Sequence, residues 1–365
     1  MKVLVVGGTF DSMEGSPSTI LTQLISGMRK HHPGDFIVVN GGKIADLEPM
    51  VQTAHLYDHI VWMPNVSNNE RKYVQDIKHY NPHCLLVTSK RNIGDKYTLA
   101  QVIAHALQLK SNLLLEISSY TPAAAPARPA SYVGRVLDPL ANCYKGWTDD
   151  FDDLGLVIAI RLMELSKFIR MGSRHEKELA ASPPNVDNRF FEIVRKHADA
   201  FHQLIPEIQT TRFLGNASFR CRHGFPSFKE QGRIFVSPRN VDKRYLIKPN
   251  FVVVAQGTNN VLYYGKNKPS VDTPIQLILY RIYQEVRYMT HGHVYVKGAP
   301  RTNHTISCGA LNEAAEILRT QPNPTEANFA VNLRGHGFIA LAKDLDFLDS
   351  LEFEPRPSPE NVWKY

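Results

Sequence analysis

The sequence predicts an α/β protein built as two domains, residues 1–175 and 186–365. Three observations lead there. The chain has 365 residues, 43% of them hydrophobic and 21% charged, which is ordinary for a globular protein and enough for two cores. Its first third alternates short apolar runs with stretches of helical spacing, the signature of βα units and so of a mostly parallel sheet with helices on both faces. The charged, small-residue stretch "GSRHEKELAASPPNVD" at 172–187 carries a Pro pair. It separates that pattern from a second half in which strands and helices follow one another irregularly, an α+β arrangement.

Taken in order, apolar runs at 2–6, 36–39, 59–63, 84–88 and 113–117 predict buried strands, since Val, Ile and Leu fill them with little alternation. Helical spacing lies between them at 18–31, 45–56, 69–80 and 97–110. The Pro- and Ala-rich "SSYTPAAAPARPAS" (118–131) predicts a loop or extended arm, followed by a helix at 151–170. In the second half, 187–204 predicts an amphipathic helix with Phe190, Ile193, Val194, Ala198 and Phe201 on one side. Strands follow at 217–221, 233–237, 250–255, 261–264, 290–296 and 337–342, with helices at 274–286 and 310–320. No internal repeat is seen.

Bulk properties narrow the function classes. No run approaches the ~18 apolar residues of a membrane span. The N-terminus enters a strand-like "KVLVVGG" without the basic, apolar, small order of a signal peptide, so a cytoplasmic protein with no membrane partner is expected. Cys84, Cys143, Cys221 and Cys308 form no Cys-x-x-Cys pair, which suggests reduced thiols and no structural zinc knuckle. The net charge of +7 comes from scattered Lys and Arg with no basic stripe, so no nucleic-acid partner is expected. A small anionic substrate accounts for the mild excess equally well.

The first domain is Rossmann-like in pattern. "VVGGTFDSMEGSPST" sets Gly7 and Gly8 at the end of the first strand, ahead of a helix starting near Ser18. Two readings stand: glycines that let a nucleotide phosphate reach the helix N-terminus, or a tight turn in a structural sheet. Asn40 closes the second strand where a carboxylate would hold a ribose. "GGTFD" resembles the opening of nucleotidyltransferases that continue with a His-x-Gly-His signature, but here "SMEGS" takes that place.

The second domain carries the histidines. In "MTHGHVYV", strand alternation would put His291 and His293 on one face, as metal ligands or as water-facing polar residues. Asp272, framed by Pro269 and Pro274, stands where a helix begins, as an N-cap or as a carboxylate facing a metal. His336 lies between Gly335 and Gly337, a backbone bent to aim one imidazole.

The ordered set of a Gly-Asn-x-Ser turn at Gly215–Ser218, a Ser-Pro turn at Ser237–Pro238, "KPSVDTP" at 268–274, His-x-His at 291–293 and Gly-His-Gly at 335–337 resembles the class II aldolase/adducin family, over about residues 187–350. The family includes metal-dependent sugar-phosphate aldolases and ribulose-phosphate 4-epimerases. The resemblance implies a divalent metal, usually zinc, on His291, His293 and His336, with an open position for a substrate carbonyl and hydroxyl in retro-aldol cleavage through an enediolate. It implies Asp272 as base or further ligand, and Asn216, Ser237 and Ser270 as a phosphate cradle. It also implies a homo-oligomer, a tetramer, in which Tyr365 could complete a neighbour's site.

Departures stand beside these. Val271 replaces the family's second serine, and Arg239–Asn240 follow the Ser-Pro turn; Arg239 could itself hold an anion. The loop that bears the epimerases' acid has no counterpart, and Asn303, His304 and Glu313 are the nearby substitutes. Epimerisation, dehydration and a non-catalytic adducin-like assembly role are the alternatives to an aldolase.

Overall fold

In the computed structural model the chain divides into two compact units, the first Met1–Lys167 and the second beginning at Phe168. The structure describes residues 1–66, 70–120, 131–167, 172–175, 187–205, 215–221, 233–258, 260–306 and 309–356.

The first unit runs β1 (Lys2–Asp11), α1 (Thr19–Arg29), β2 (Asp35–Lys43), α2 (Leu47–Gln52), β3 (His59–Asn65), α3 (Glu70–Tyr80), β4 (Leu85–Arg91), α4 (Leu99–Gln108), β5 (Leu113–Tyr120), β6 (Ser131–Leu137), β7 (Cys143–Thr148) and α5 (Phe151–Lys167). Its seven-stranded sheet has the order β2-β1-β3-β4-β5-β6-β7. The first five strands are parallel, as their unalternating apolar runs predict. Successive residues of β1 feed opposite faces: Val3 and Val5 pack with Leu21, Leu24, Leu154 and Leu162 of α1 and α5, while Leu4 and Val6 pack with Trp62, Val74 and Ile77. β6 and β7 extend the sheet antiparallel, which the sequence reading did not anticipate. Of the loop expected at 118–131, the two ends are strand, Ser118–Tyr120 in β5 and Ser131 in β6, and 121–130 lie outside the described residues.

The second unit contains β8 (Gly172–His175), α6 (Asn188–Leu204), β9 (Asn216–Cys221), β10 (Arg233–Val236), β11 (Val252–Gln256), β12 (Asn260–Tyr264), α7 (Thr273–Ile282), β13 (Tyr288–Gly292), β14 (Tyr295–Val296), α8 (Asn312–Thr320), β15 (Asn328–Leu333), β16 (Gly337–Ala342), α9 (Leu345–Asp349) and β17 (Phe353–Glu354). Eight of these strands form a sheet of order β15-β16-β13-β9-β10-β11-β12-β8. It is antiparallel except for the β12–β8 pair. One face packs Ala217, Phe219 and Phe338 under Phe190, Val194 and Phe201 of α6. The other packs Met289, Val254 and Leu341 under Ile275 and Leu279 of α7 and Ile317 of α8.

Two expectations need correction. β8 falls within residues 1–175, yet it hydrogen-bonds as the edge strand of the second sheet. The strand expected at 290–296 is broken: β13 ends at Gly292, and β14 pairs with β17 in a separate two-stranded sheet. His293 therefore sits in a bend after the strand and not on its alternating face.

Candidate metal centre

Antiparallel pairing sets His291 opposite Ile339 and Gly292 opposite Phe338. The turn that joins β15 to β16 carries His336 back over β13. This approach requires glycine, because a Cβ at Gly337 would lie 2.0 Å from the Gly292 carbonyl oxygen. The His291 ring centroid stands 5.1 Å from that of His293 and 4.7 Å from that of His336, and the third separation is 5.0 Å. One nitrogen from each ring lies within 4.8 Å of the other two.

Hydrogen bonding fixes which nitrogens those can be. His291 Nδ1 lies 2.6 Å from the Phe338 carbonyl oxygen, which can only accept, so Nδ1 carries the proton and Nε2 the lone pair. His336 Nδ1 donates to Glu313 Oε1 at 2.6 Å, the carboxylate–histidine pairing that orients a ligating imidazole. His291 Nε2 and His293 Nδ1 are buried and have no hydrogen-bond partner among the described residues. His291 and His336 are 3% and 1% exposed; His293 is half-buried.

Burial, reinforced by His336, pushes His291 down to about 4, against the opposing pull of Asp272 and the Phe338 carbonyl. Burial and the two neighbouring imidazoles hold His293 well below the usual range. Neutral rings are the form that binds a divalent cation. Burial pushes Glu313 up, and His336 opposes it. The buried lone pairs of His291 Nε2 and His293 Nδ1, without a hydrogen-bond partner among the described residues, are costly in a folded protein, and a cation resolves the arrangement. The residues present thus fit a metal with three nitrogen ligands.

Asp272 is the N-cap of α7 but makes no side-chain cap bond. Its Oδ2 instead accepts from Asn216 Nδ2 at 2.8 Å and stands 3.9 Å from His291 Nε2. Asn216 Oδ1 accepts in turn from Gln276 Nε2. A bridge between Pro238 and Pro269 draws the Ser237 and Ser270 turns together. Ser237 Oγ, fully buried, accepts from the Ala217 N–H at 3.1 Å, and Ser270 Oγ lies 3.5 Å from Asp272 Oδ2. The structure thus brings Asn216 and Ser270 to Asp272, while Ser237 is held by the backbone of Ala217 beside Asn216.

Arg239 is exposed, its backbone N–H bonded to the Lys268 carbonyl at 2.8 Å. His304 and Asn303 are exposed, and His304 Nδ1 lies 3.1 Å from Glu316. Of the three nearby substitutes, Glu313 alone reaches the centre, where it holds His336. Tyr365 lies outside the described residues.

The sequence reading missed a neighbouring pocket. Lys243, His197, Thr290, Asn216 and His291 line it together with Val194, Ala198 and Phe201. Lys243 is 7% exposed, and burial lowers it to about 8, opposed by Asp242 and Asp272. His197 Nε2 donates to the Leu348 carbonyl at 2.9 Å. Its Nδ1 and Thr290 Oγ1 are buried without partners among the described residues.

In the first unit, Gly7 and Gly8 lie inside β1, which continues to Asp11. Gly8 has φ +81°, and a Cβ there would meet the Gly41 N–H nitrogen at 2.5 Å. Asn40 accepts from the Ser18 N–H at 2.7 Å and donates to its carbonyl at 3.1 Å. These residues pack the strand end against the start of its own helix. No helix among the described residues is long and apolar enough to cross a membrane.

Residues 195–297 match the family model of the Class II Aldolase and Adducin N-terminal domain. Among curated proteins no sequence matches. The N-terminal class II aldolase domain of a conserved protein from Thermoplasma acidophilum is 11% identical, covering 48% of this chain and 92% of its own, with a TM-score of 0.33. An aldolase II superfamily protein from Pseudomonas syringae is 13% identical, covering 45% and 72%, with a TM-score of 0.31. The DNA/pantothenate metabolism flavoprotein from Streptococcus pneumoniae is 13% identical, covering 46% of this chain and 97% of its own, with a TM-score of 0.32.

Proposed function

We propose that the second unit, class II aldolase/adducin-like over residues 195–297, holds a divalent metal on His291, His293 and His336 and works as an aldolase-type lyase. The substrate is an anionic or phosphorylated hydroxy-carbonyl compound in which a carbon–carbon bond is made or broken. The observation that carries this reading is the set of three imidazole nitrogens within 4.8 Å of one another, with the buried His291 Nε2 and His293 Nδ1 left without a hydrogen bond among the described residues. Zinc suits a set of three neutral imidazoles.

When bound, the metal supplies Lewis acidity toward a carbonyl oxygen and its adjacent hydroxyl. The chain's own residues do the rest. Phe338 and Glu313 fix the tautomers of His291 and His336, and Asn216 Nδ2 aims the Asp272 carboxylate at the centre. Asp272 takes the proton from the hydroxyl that becomes the product aldehyde as the carbon–carbon bond breaks, and returns it to the carbanion carbon of the other fragment. In the synthetic direction the same proton travels back. The burial of Asp272, 8% exposed, keeps bulk water from that carbon.

Metal analysis after zinc-supplemented preparation, followed by a screen of hydroxy-aldehyde and hydroxy-ketone substrates, tests the proposal. The expected result is a stoichiometric ion and a turnover that a chelator abolishes. A chain that takes up no ion is instead an assembly module, like adducin. A tetramer belongs to the same proposal, and light scattering in solution measures it.

A further inference from the structure

The next step rests on the proposed function, in which Asp272 is the base. We propose that Gln276 is a positioning residue for it: one helical turn further along α7, Gln276 fixes which way the Asn216 amide faces, and through that amide it holds the Asp272 carboxylate in place.

The fold places the three side chains in a row. Asn216 on β9 stands directly opposite His291 on β13, so both point to the face of the sheet that α7 covers, as Met289 does. Asp272 is the N-cap of α7 and Gln276 lies four residues on, the spacing that puts two side chains on one side of a helix. Tyr280, four further on, continues the row and meets Ser218 Oγ, two residues along β9 from Asn216, at 3.0 Å. Gln276 is fully buried, and Asn216 and Asp272 are nearly so.

Amide chemistry then gives the row a direction. A carboxylate oxygen accepts, so Asn216 must present its NH₂ group, and Nδ2 donates to Asp272 Oδ2 at 2.8 Å. That turns Asn216 Oδ1 to Gln276, whose Nε2 donates to it. Turning Gln276 over would set its oxygen against Asn216 Oδ1, and turning Asn216 to relieve that would set oxygen against the carboxylate. Gln276 Oε1 is the acceptor left over, buried with no hydrogen-bond partner among the described residues. A buried, unmet acceptor is a cost that an apolar side chain at position 276 would not carry. What the amide adds is the orientation of Asn216, and with it that of the carboxylate oxygen 3.9 Å from His291 Nε2.

The test uses the zinc-loaded full chain and dihydroxyacetone in heavy water, with NMR following exchange of the hydrogens next to the carbonyl. In that exchange Asp272 takes a proton from carbon, the electron pair moves onto the carbonyl oxygen, and a deuteron returns to the same carbon, so nothing is oxidised or reduced. Gln276→Met, similar in shape but without a donor, should lower kcat about tenfold and leave KM and zinc uptake unchanged. Gln276→Glu, which sets an acceptor against Asn216 Oδ1, should lower it further. On an Asn216→Ala background Gln276→Met should add no further loss, because its effect passes through the missing amide. The side-chain N–H signals of Asn216, assigned by their disappearance in Asn216→Ala, should exchange with water faster in Gln276→Met than in wild type. Thermal melts confirm that each variant is folded. An unchanged kcat in Gln276→Met, an additive loss in the double variant, or Asn216 signals that do not respond overturns the positioning role. A wild type that exchanges no hydrogen, with Asn216 signals that do respond to Gln276→Met, refutes the lyase reading while upholding the hold on Asn216.

Discussion

Both units bury histidines, but they treat them differently. In the first, His32 and His59 form a closed chain. The Gly34 N–H donates to His32 Nδ1 at 3.0 Å, and His32 Nε2 meets His59 Nδ1 at 2.7 Å. His59 Nε2 meets Ser166 Oγ at 2.6 Å, and that hydroxyl donates to the Leu162 carbonyl at 2.8 Å. Each link donates onward, so both rings are neutral and every ring nitrogen is used. In the second unit His291 and His293 are also neutral, yet each keeps a buried nitrogen with no hydrogen-bond partner among the described residues. Burial and a depressed pKa are common to both groups. What separates a structural histidine from a candidate ligand is the unspent lone pair, and whether several of them converge.

The strongest way to break this comparison is to delete one ring from each group. His291→Ala should abolish metal uptake, measured by metal analysis, and leave the fold intact by circular dichroism, since a catalytic metal on a preformed sheet is not what folds it. His59→Ala should leave metal uptake unchanged but strand His32 Nε2 and Ser166, at a cost of about 1–3 kcal/mol for a lost buried partner. Metal loss in the His59 variant, or unfolding of the His291 variant, would show that the contrast is misdrawn.

Glu313→Gln sharpens the same point at smaller scale. The glutamine keeps the shape but not the charge that holds His336 Nδ1–H. Metal affinity should fall about 10- to 100-fold in a competitive chelator titration, as outer-shell replacements do. An unaltered affinity would make Glu313 a passive neighbour. Gly337→Ala should act through the backbone: the added methyl meets the Gly292 carbonyl. It should cost about 1–3 kcal/mol in denaturant unfolding, with weaker metal binding as His336 shifts.

How much of this was legible in the sequence follows from burial. β1, β3, β4 and the start of β5 are covered on both faces, so their apolar runs announce them. β6 and β7 turn Tyr132 and Trp147, each nearly half exposed, to solvent and carry no such run. His336 was legible because its glycines mark a bent backbone. His291 and His293 were found for an incomplete reason: alternation ends at Gly292, and a bend aims the second ring. Glu313 was noticed as a possible acid, but the side it turns to His336 depends on how α8 packs, which no local pattern records. Lys243 was invisible, since a lysine in "NVDKRYL" reads as a solvated turn and only the tertiary fold buries it.

The smallest expected effect concerns acid, and it tests whether the closed chain in the first unit is spent on structure. Burial and the neighbouring His32 push His59 down to about 4. Its folded pKa lies below the ordinary 6.5, so between these values the unfolded chain binds a proton that the folded chain refuses. Stability is therefore complete above about pH 6.5 and declines as pH falls toward 4, by up to about 3 kcal/mol for this one ring at 1.36 kcal/mol per unit. His197, also near 4, adds a slope of the same sign in the second unit. Urea unfolding at intervals across that window, wild type against His59→Gln, isolates the first contribution. The variant should start less stable and lose less on acidification, because the group that the unfolded chain would protonate is gone. Parallel curves for the two proteins would mean that the ring carries a proton when folded, and the donor order along Gly34, His32, His59, Ser166 and Leu162 would then have to be reversed or broken.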